Sequence, residues 1–276
     1  MHPERGGGTA MNTDIRTFYG FRQTPFSPDI RPDQMYLLSG MVEISKRIQF
    51  AVQNNMYFTV IGDVGAGKST SLRYALHQLP QKSYQVIDLV GGQWGFVEVL
   101  RQCMASLGIH TRTNQPSSML RQIHEVFDLI RNDGKRPVLF VDEAHLFQTD
   151  VFAQLHLISQ QNLAKAIVMC GQDGLFEKLR NPQARPLMNR VIDGYNLRNL
   201  TQDECFGYID HHLKVIGGCN SDIFEKPALI AIGQVSAGIP RNINSVCLLA
   251  LGYGMDHGTT SISAETIRNV SRNWWE

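Results

Sequence analysis

The stretch Val60-Ile61-Gly62-Asp63-Val64-Gly65-Ala66-Gly67-Lys68-Ser69-Thr70 decides the fold. An apolar run leads into the pattern G-x-x-x-x-G-K-[ST], filled by Gly62, Gly67, Lys68 and Ser69, with an additional glycine at Gly65. Glycines let the backbone curl so that successive N–H groups face inward onto phosphate oxygens. The nine residues Gly62, Asp63, Val64, Gly65, Ala66, Gly67, Lys68, Ser69 and Thr70 are therefore expected to hold ATP. Lys68 is placed to reach the β- and γ-phosphates, and the Ser69 hydroxyl to ligate Mg²⁺. The residues Thr70 to Leu76 read as a helix, so the phosphates would also meet a helix N-terminus.

A phosphate site needs acids for the metal and for water. Val138-Leu139-Phe140-Val141 is a continuous apolar run, as in a strand covered on both faces, and it ends in Asp142-Glu143-Ala144-His145. In a parallel sheet, ligands collect at the carboxyl ends of strands. Asp142 is thus expected beside the phosphate loop, serving Mg²⁺. Glu143, on the opposite side of the pleat, is placed to activate the attacking water. His145 reads as a solvated loop residue or a group behind the site. A further strand, Ala166 to Cys170, ends in Gly171-Gln172, which puts Gln172 near the γ-phosphate and the water; the bland alternative is a capping glutamine.

Arginine commonly stabilises charge on a transferring phosphoryl group. Arg180, Arg185 and Arg190 cluster in one segment, and Arg241 follows Gly238-Ile239-Pro240 in the first turn of an expected helix. Local pattern alone does not separate these four from surface arginines.

The wider chain sets the frame. Its 276 residues allow one large or two modest domains, and a formal charge of +1 gives no global field demanding nucleic acid. Five scattered cysteines without a C-x-x-C pair argue against a disulfide framework or a zinc site and fit a reducing, cytoplasmic setting. No apolar run approaches a membrane span, and residues 1–10 lack a signal-peptide core, leaving Met11 as an alternative start. Strands at Tyr57 to Ile61, Tyr84 to Val90, Pro137 to Val141 and Ala166 to Cys170 alternate with helical stretches, which predicts an α/β domain with a parallel sheet. The capping box Thr201-Gln202-Asp203-Glu204 then opens an all-helical region. The expected organisation is an extended arm over 1–34, an α/β nucleotide-binding domain over 35–200 and a small helical domain over 201–276. The arm's aromatics, in Tyr19-Gly20-Phe21 and Pro25-Phe26, suit a strap packed on a surface or an adenine contact.

From about Phe18 to Arg268 the chain resembles an AAA+ ATPase, and more narrowly the ExeA (general secretion pathway protein A) group. The resemblance rests on the arm aromatics, the two nucleotide motifs, Val168-Met169-Cys170-Gly171-Gln172 with Leu175, Asn189-Arg190-Val191, and Gly238-Ile239-Pro240-Arg241-Asn242-Ile243-Asn244. It implies a P-loop NTPase sheet followed by a helical lid. It also implies Gln172 as first sensor, Arg241 as a lid residue touching the γ-phosphate, and Arg190 as a finger reaching a neighbouring subunit. A homo-oligomeric ring or filament goes with that finger. Only Trp274-Trp275-Glu276 follows the lid, whereas ExeA proteins carry an anchor and a wall-binding region. The short form resembles the ATPases encoded beside transposases, in the role of MuB, TniB and TnsC. Double-stranded DNA and a transposase are then the expected partners. The alternative is a cytoplasmic ATPase of secretion or pilus assembly acting on protein partners. A regulator with negligible hydrolysis is a third reading, and the intact Glu143 argues against it.

Overall fold

A computed structural model describes residues 14–28, 30–160, 164, 166–219 and 222–272; the readings on residues 1–13, Met11 among them, and on 274–276 lie outside the described residues. Two compact units divide the chain, Leu37–Arg198 and a second formed by the segments before and after it. The leading segment carries α1 (Ile15–Tyr19). The α/β unit runs α2 (Ser39–Gln53), β1 (Tyr57–Gly62), α3 (Lys68–Gln78), β2 (Tyr84–Val90), α4 (Phe96–Ser106) and α5 (Pro116–Asn132). It continues through β3 (Arg136–Asp142), α6 (Thr149–Gln160), β4 (Ala166–Gly171), α7 (Gly174–Arg180), α8 (Arg185–Met188) and β5 (Val191–Leu197). Helices α9 (Gln202–His211), α10 (Lys226–Ser236), α11 (Pro240–Asp256) and α12 (Ala264–Ser271) complete the second unit.

The strands pair in the order β2-β3-β4-β1-β5, and every pairing is parallel. Alternation along β3 feeds two cores. Leu139 and Val141 face a cluster with Met119, Ile123 and Phe127 of α5, and Val138 and Phe140 face Ile44 and Ile48 of α2 and Leu72 of α3. Each such fully buried side chain contributes about 1.5–3 kcal/mol, which is why β1, β3 and β4 read as apolar runs. Strand β5 was not visible in the sequence. Its Val-Ile-Asp-Gly-Tyr-Asn-Leu is half exposed at the sheet's edge, so burial writes no apolar run there.

In the second unit the expected capping box is present: the Thr201 hydroxyl accepts the Glu204 N–H, and the Glu204 carboxylate accepts the Thr201 N–H. Residues 14–36 join these helices and include α1, where the sequence suggested an extended arm. The Tyr19 hydroxyl donates to the Leu251 carbonyl (3.1 Å). The Phe26 N–H donates to Nδ1 of His212 (3.0 Å), and the two rings stack at 5.0 Å. His212 opens a π-helical turn, His212–Ile216, that ends α9. Burial, with His211 beside it, depresses the His212 pKa to about 3, so the ring is neutral and free to accept. Among the described residues, no helix is long and apolar enough to cross a membrane.

Candidate functional site

The phosphate-type loop leaves β1 at the carboxyl edge of the sheet. Gly62 lies so close to β5 that a Cβ would come within 2.8 Å of the Leu197 carbonyl oxygen. Gly65 (φ 81°) and Gly67 (φ 95°) occupy the left-handed region, where side-chain-bearing residues are strained. Ala66 is buried, while Asp63, Val64, Ser69 and Thr70 are exposed. The loop thus presents open backbone at the first turn of α3.

Lys68 is the informative side chain. It is only 5% exposed, and its ammonium donates to the carbonyls of Gly62 (2.9 Å) and Asp63 (2.8 Å). An ammonium has three donors, and among the described residues no carboxylate pairs with this one. A charge held out of water with a donor unspent is costly unless an anion completes it. The site therefore fits a phosphate group. It also fits Mg²⁺, which takes one or two protein oxygens and fills its octahedron with phosphate and water. Ser69 and Asp142 offer those oxygens, and no cluster of three or more His, Cys, Asp or Glu forms a cage for a metal among the described residues.

Register brings the other strand ends alongside. Ile61 pairs with Gly171, and Val141 with Met169, so the ends of β1, β3 and β4 lie at one edge. Asp142 is the last residue of β3, and its Oδ1 accepts the Glu143 N–H (2.9 Å). Between these strands sits the fully buried Cys170. Burial holds its thiol well above the ordinary value, with the Asp142 carboxylate beside it adding to the rise and Lys68 opposing it. The thiol stays protonated and can donate to Asp142. Gln172 follows β4 directly; its carbonyl accepts the Leu175 N–H that opens α7 (2.9 Å).

Glu143 departs from the simple pleat. It has left the strand and adopts a left-handed conformation (φ 51°, ψ 33°). Gly91, just past β2, makes room for it. The Gly91 N–H donates to the Asp142 carbonyl (2.7 Å), and a Cβ at Gly91 would lie 1.9 Å from the Glu143 carbonyl oxygen. Strain of this kind persists only where the surroundings over-determine it, and it concentrates at functional sites.

His145 is not the solvated loop residue expected from local pattern. Its side chain is 12% exposed, and Nδ1 stands 3.5 Å from Glu143 Oε2. The ring covers Gly171, where a Cβ would be 3.3 Å from Nδ1. Lys178 of α7 ties down the same loop by donating to the carbonyls of His145 (2.5 Å) and Phe147 (2.7 Å). Sequence reasoning passed over both Gly91 and Lys178. The position of Gly91 after a strand was a usable signal; Lys178 gave none.

The arginines divide. Arg190 precedes β5, and its carbonyl accepts the N–H of Tyr57, the first residue of β1. Its guanidinium donates to the Tyr57 hydroxyl (3.2 Å) and lies 5.3 Å from that ring's centroid. Tyr57 and Gly62 are separated by the length of β1, about 16 Å at a strand's rise. Arg190 is therefore at the opposite edge from its own chain's phosphate loop. Arg180 and Arg185 are exposed on α7 and α8. Arg241 lies in the first turn of α11, after Pro240, within the helical unit.

Residues 52–179 match the family described as AAA domain. The chain is similar to general secretion pathway protein A of Aeromonas hydrophila, at 28% identity over 272 residues, covering 92% of this chain and 48% of that protein. The chain thus spans about half the length of this curated relative. Among solved structures it is similar to the Aeropyrum pernix ORC2 protein in its ADPNP–ADP complexes, with a TM-score of 0.71 at 11% identity, covering 90% of this chain and 71% of that one. It is also similar to the Aeropyrum pernix ORC1 protein in complex with DNA, with a TM-score of 0.68 at 12% identity, covering 89% and 67%. The fold is the α/β P-loop ATPase fold, a five-stranded parallel sheet flanked by helices.

Proposed function

We propose that this protein binds ATP with Mg²⁺ and hydrolyses it, and that nucleotide turnover drives a switch in an oligomer. The observation that carries this reading is Lys68: a buried cation with an unspent donor, following a glycine loop at the sheet edge where β3 also ends in Asp142. In the mechanism, the loop N–H groups and Lys68 bind and orient the β- and γ-phosphates, while Ser69 and Asp142 would hold Mg²⁺. Mg²⁺, when bound, neutralises charge on the phosphate oxygens. Glu143 orients the attacking water and takes its proton, and Gln172 steadies the γ-phosphate. We assign Arg190 to a neighbouring subunit's nucleotide, since its own loop lies a strand's length away. Arg241 is assigned to γ-phosphate sensing on the resemblance of its motif.

The decisive experiment is calorimetry of MgATP binding. Lys68→Ala, by removing a charge-assisted hydrogen bond, should weaken affinity about 10- to 100-fold. Unchanged affinity in a folded Lys68→Ala protein would overturn the assignment.

For the process served, we propose a DNA-associated helper of a transposase. One neighbour in fold is described in complex with DNA, and the wording of the loop from Gly62 to Arg73 resembles that of the transposition ATPases. Duplex binding should then require ATP, weaken steeply with salt and show little sequence preference, as backbone contacts do. Fluorescence anisotropy across a salt series reads this out. The relative named for general secretion favours a second reading, in which the ATPase acts on secretion or pilus proteins. Assembly with nucleotide but no DNA binding at low salt would select it.

A further inference from the structure

We infer that His145 is a positioning residue for Glu143, donating from Nδ1 to the Glu143 carboxylate and so holding the general base toward the attacking water. Three observations converge. Among the described residues, the buried Nδ1 of His145 has no hydrogen-bond partner, and the acceptor facing it at 3.5 Å is Glu143 Oε2. Catalytic hydrogen bonds are often long before substrate binds and tighten in the complex, so this spacing is that of a contact poised to close. The imidazole cannot easily move away. It lies against Gly171, where even a methyl group would crowd it at 3.3 Å, and its own carbonyl is clamped by Lys178. Gly171 precedes Gln172 and Lys178 sits on the helix that follows, so the same ring ties the base to the strand end carrying the γ-phosphate contact.

Glu143 needs such a hold. Its backbone is in the left-handed region, fixed on one side by Gly91, and its side chain is 36% exposed. The backbone aims the residue but leaves its outer rotamers open, and a second contact at the carboxylate selects one of them. A base displaced by about 1 Å can lose about 100-fold in rate.

The inference rests on the hydrolysis reading, and two experiments keep their failures apart. The first uses the nucleotide-free protein. Nitrogen-resolved NMR of the imidazole, assigned with His145→Gln and recorded at about pH 8, above the ordinary histidine range, should find the proton on Nδ1. Glu143→Ala should move it to Nε2. An unprotonated Nδ1 in the wild type overturns the inference whether or not ATP is hydrolysed. The second is steady-state kinetics. His145→Phe keeps the bulk but removes the donor, and should lower kcat about 10- to 100-fold with KM changed by less than about twofold. His145→Gln, whose amide can donate, should recover most of the loss. Wild-type kcat in His145→Phe, or a loss that His145→Gln does not recover, assigns the ring to packing and overturns the inference. A wild type with the proton on Nδ1 but no ATP hydrolysis overturns the hydrolysis reading instead.

Discussion

The loop after β3 and the joint between the leading segment and α9 use the same two uncommon devices and differ in what they leave unspent. Each sets a non-glycine residue in the left-handed region, Glu143 at φ 51° and Phe26 at φ 62°. Each sets a histidine beside it, His212 fully buried and His145 mostly covered. At the joint everything is consumed: Phe26 is 1% exposed, its N–H meets Nδ1 of His212, and its ring stacks on the imidazole. At the loop, Nδ1 of His145 has no hydrogen-bond partner among the described residues, and the strained residue keeps its carboxylate partly open. Strain and burial alone therefore do not mark a site. Bonding capacity left over beside them does.

The largest expected effect tests the loop side. Glu143→Gln retains shape but removes the carboxylate proposed as the base, so steady-state ATP turnover should fall about 10²- to 10⁴-fold while calorimetric ATP affinity stays near wild type. Turnover near wild type would place the base elsewhere.

Phe26→Ala tests the joint. Truncating a fully buried phenylalanine should cost about 3–5 kcal/mol of stability. Hydrogen exchange should place the loss in residues 14–36 and 202–271, with ATP affinity of the folded fraction unchanged. Loss of protection at the phosphate loop instead would erase the distinction between the two regions.

A pH scan sharpens the contrast further. His212 in the folded state is held to about 3, below the ordinary value of 6.5. The unfolded chain therefore binds the extra proton between those limits. The stabilisation is complete above about pH 6.5 and drains as the pH falls toward 3, amounting to a loss of about 2 kcal/mol by pH 5. Urea unfolding from pH 7.5 to 5 should show this slope, and His212→Leu should flatten it.

The smallest effect falls on the loop side, and its sign is opposite to that of the matching change at the joint. Glu143→Gly should raise stability by about 0.5–1 kcal/mol, because it relieves left-handed strain at some cost in chain entropy, while abolishing turnover. Phe26→Gly should only destabilise, since the ring's packing outweighs the same relief. A destabilised Glu143→Gly protein in thermal melts would mean that the loop's contacts, not its function, hold Glu143 in place.

What was legible in the sequence is what adjacent residues determine among themselves. The phosphate loop needs glycines at fixed offsets before a lysine and a helix, and all of those conditions lie within one stretch, Val60 to Thr70. Strands β1, β3 and β4 were readable because burial on both faces demands an unbroken apolar run, and Asp142 and Glu143 followed from the end of one of them. The tertiary structure decided the rest, because the deciding partners are far apart in the chain. Strand β5 exists because β1 offers it an edge. His145 is mostly covered, its ring lying against Gly171 and its carbonyl held by Lys178. Arg190 is bound to Tyr57, across more than a hundred intervening residues. The leading segment belongs with the helices because His212, held neutral by burial, accepts a hydrogen bond from the Phe26 N–H. Local chemistry is written in spacing, whereas burial is a property of the neighbours that folding supplies.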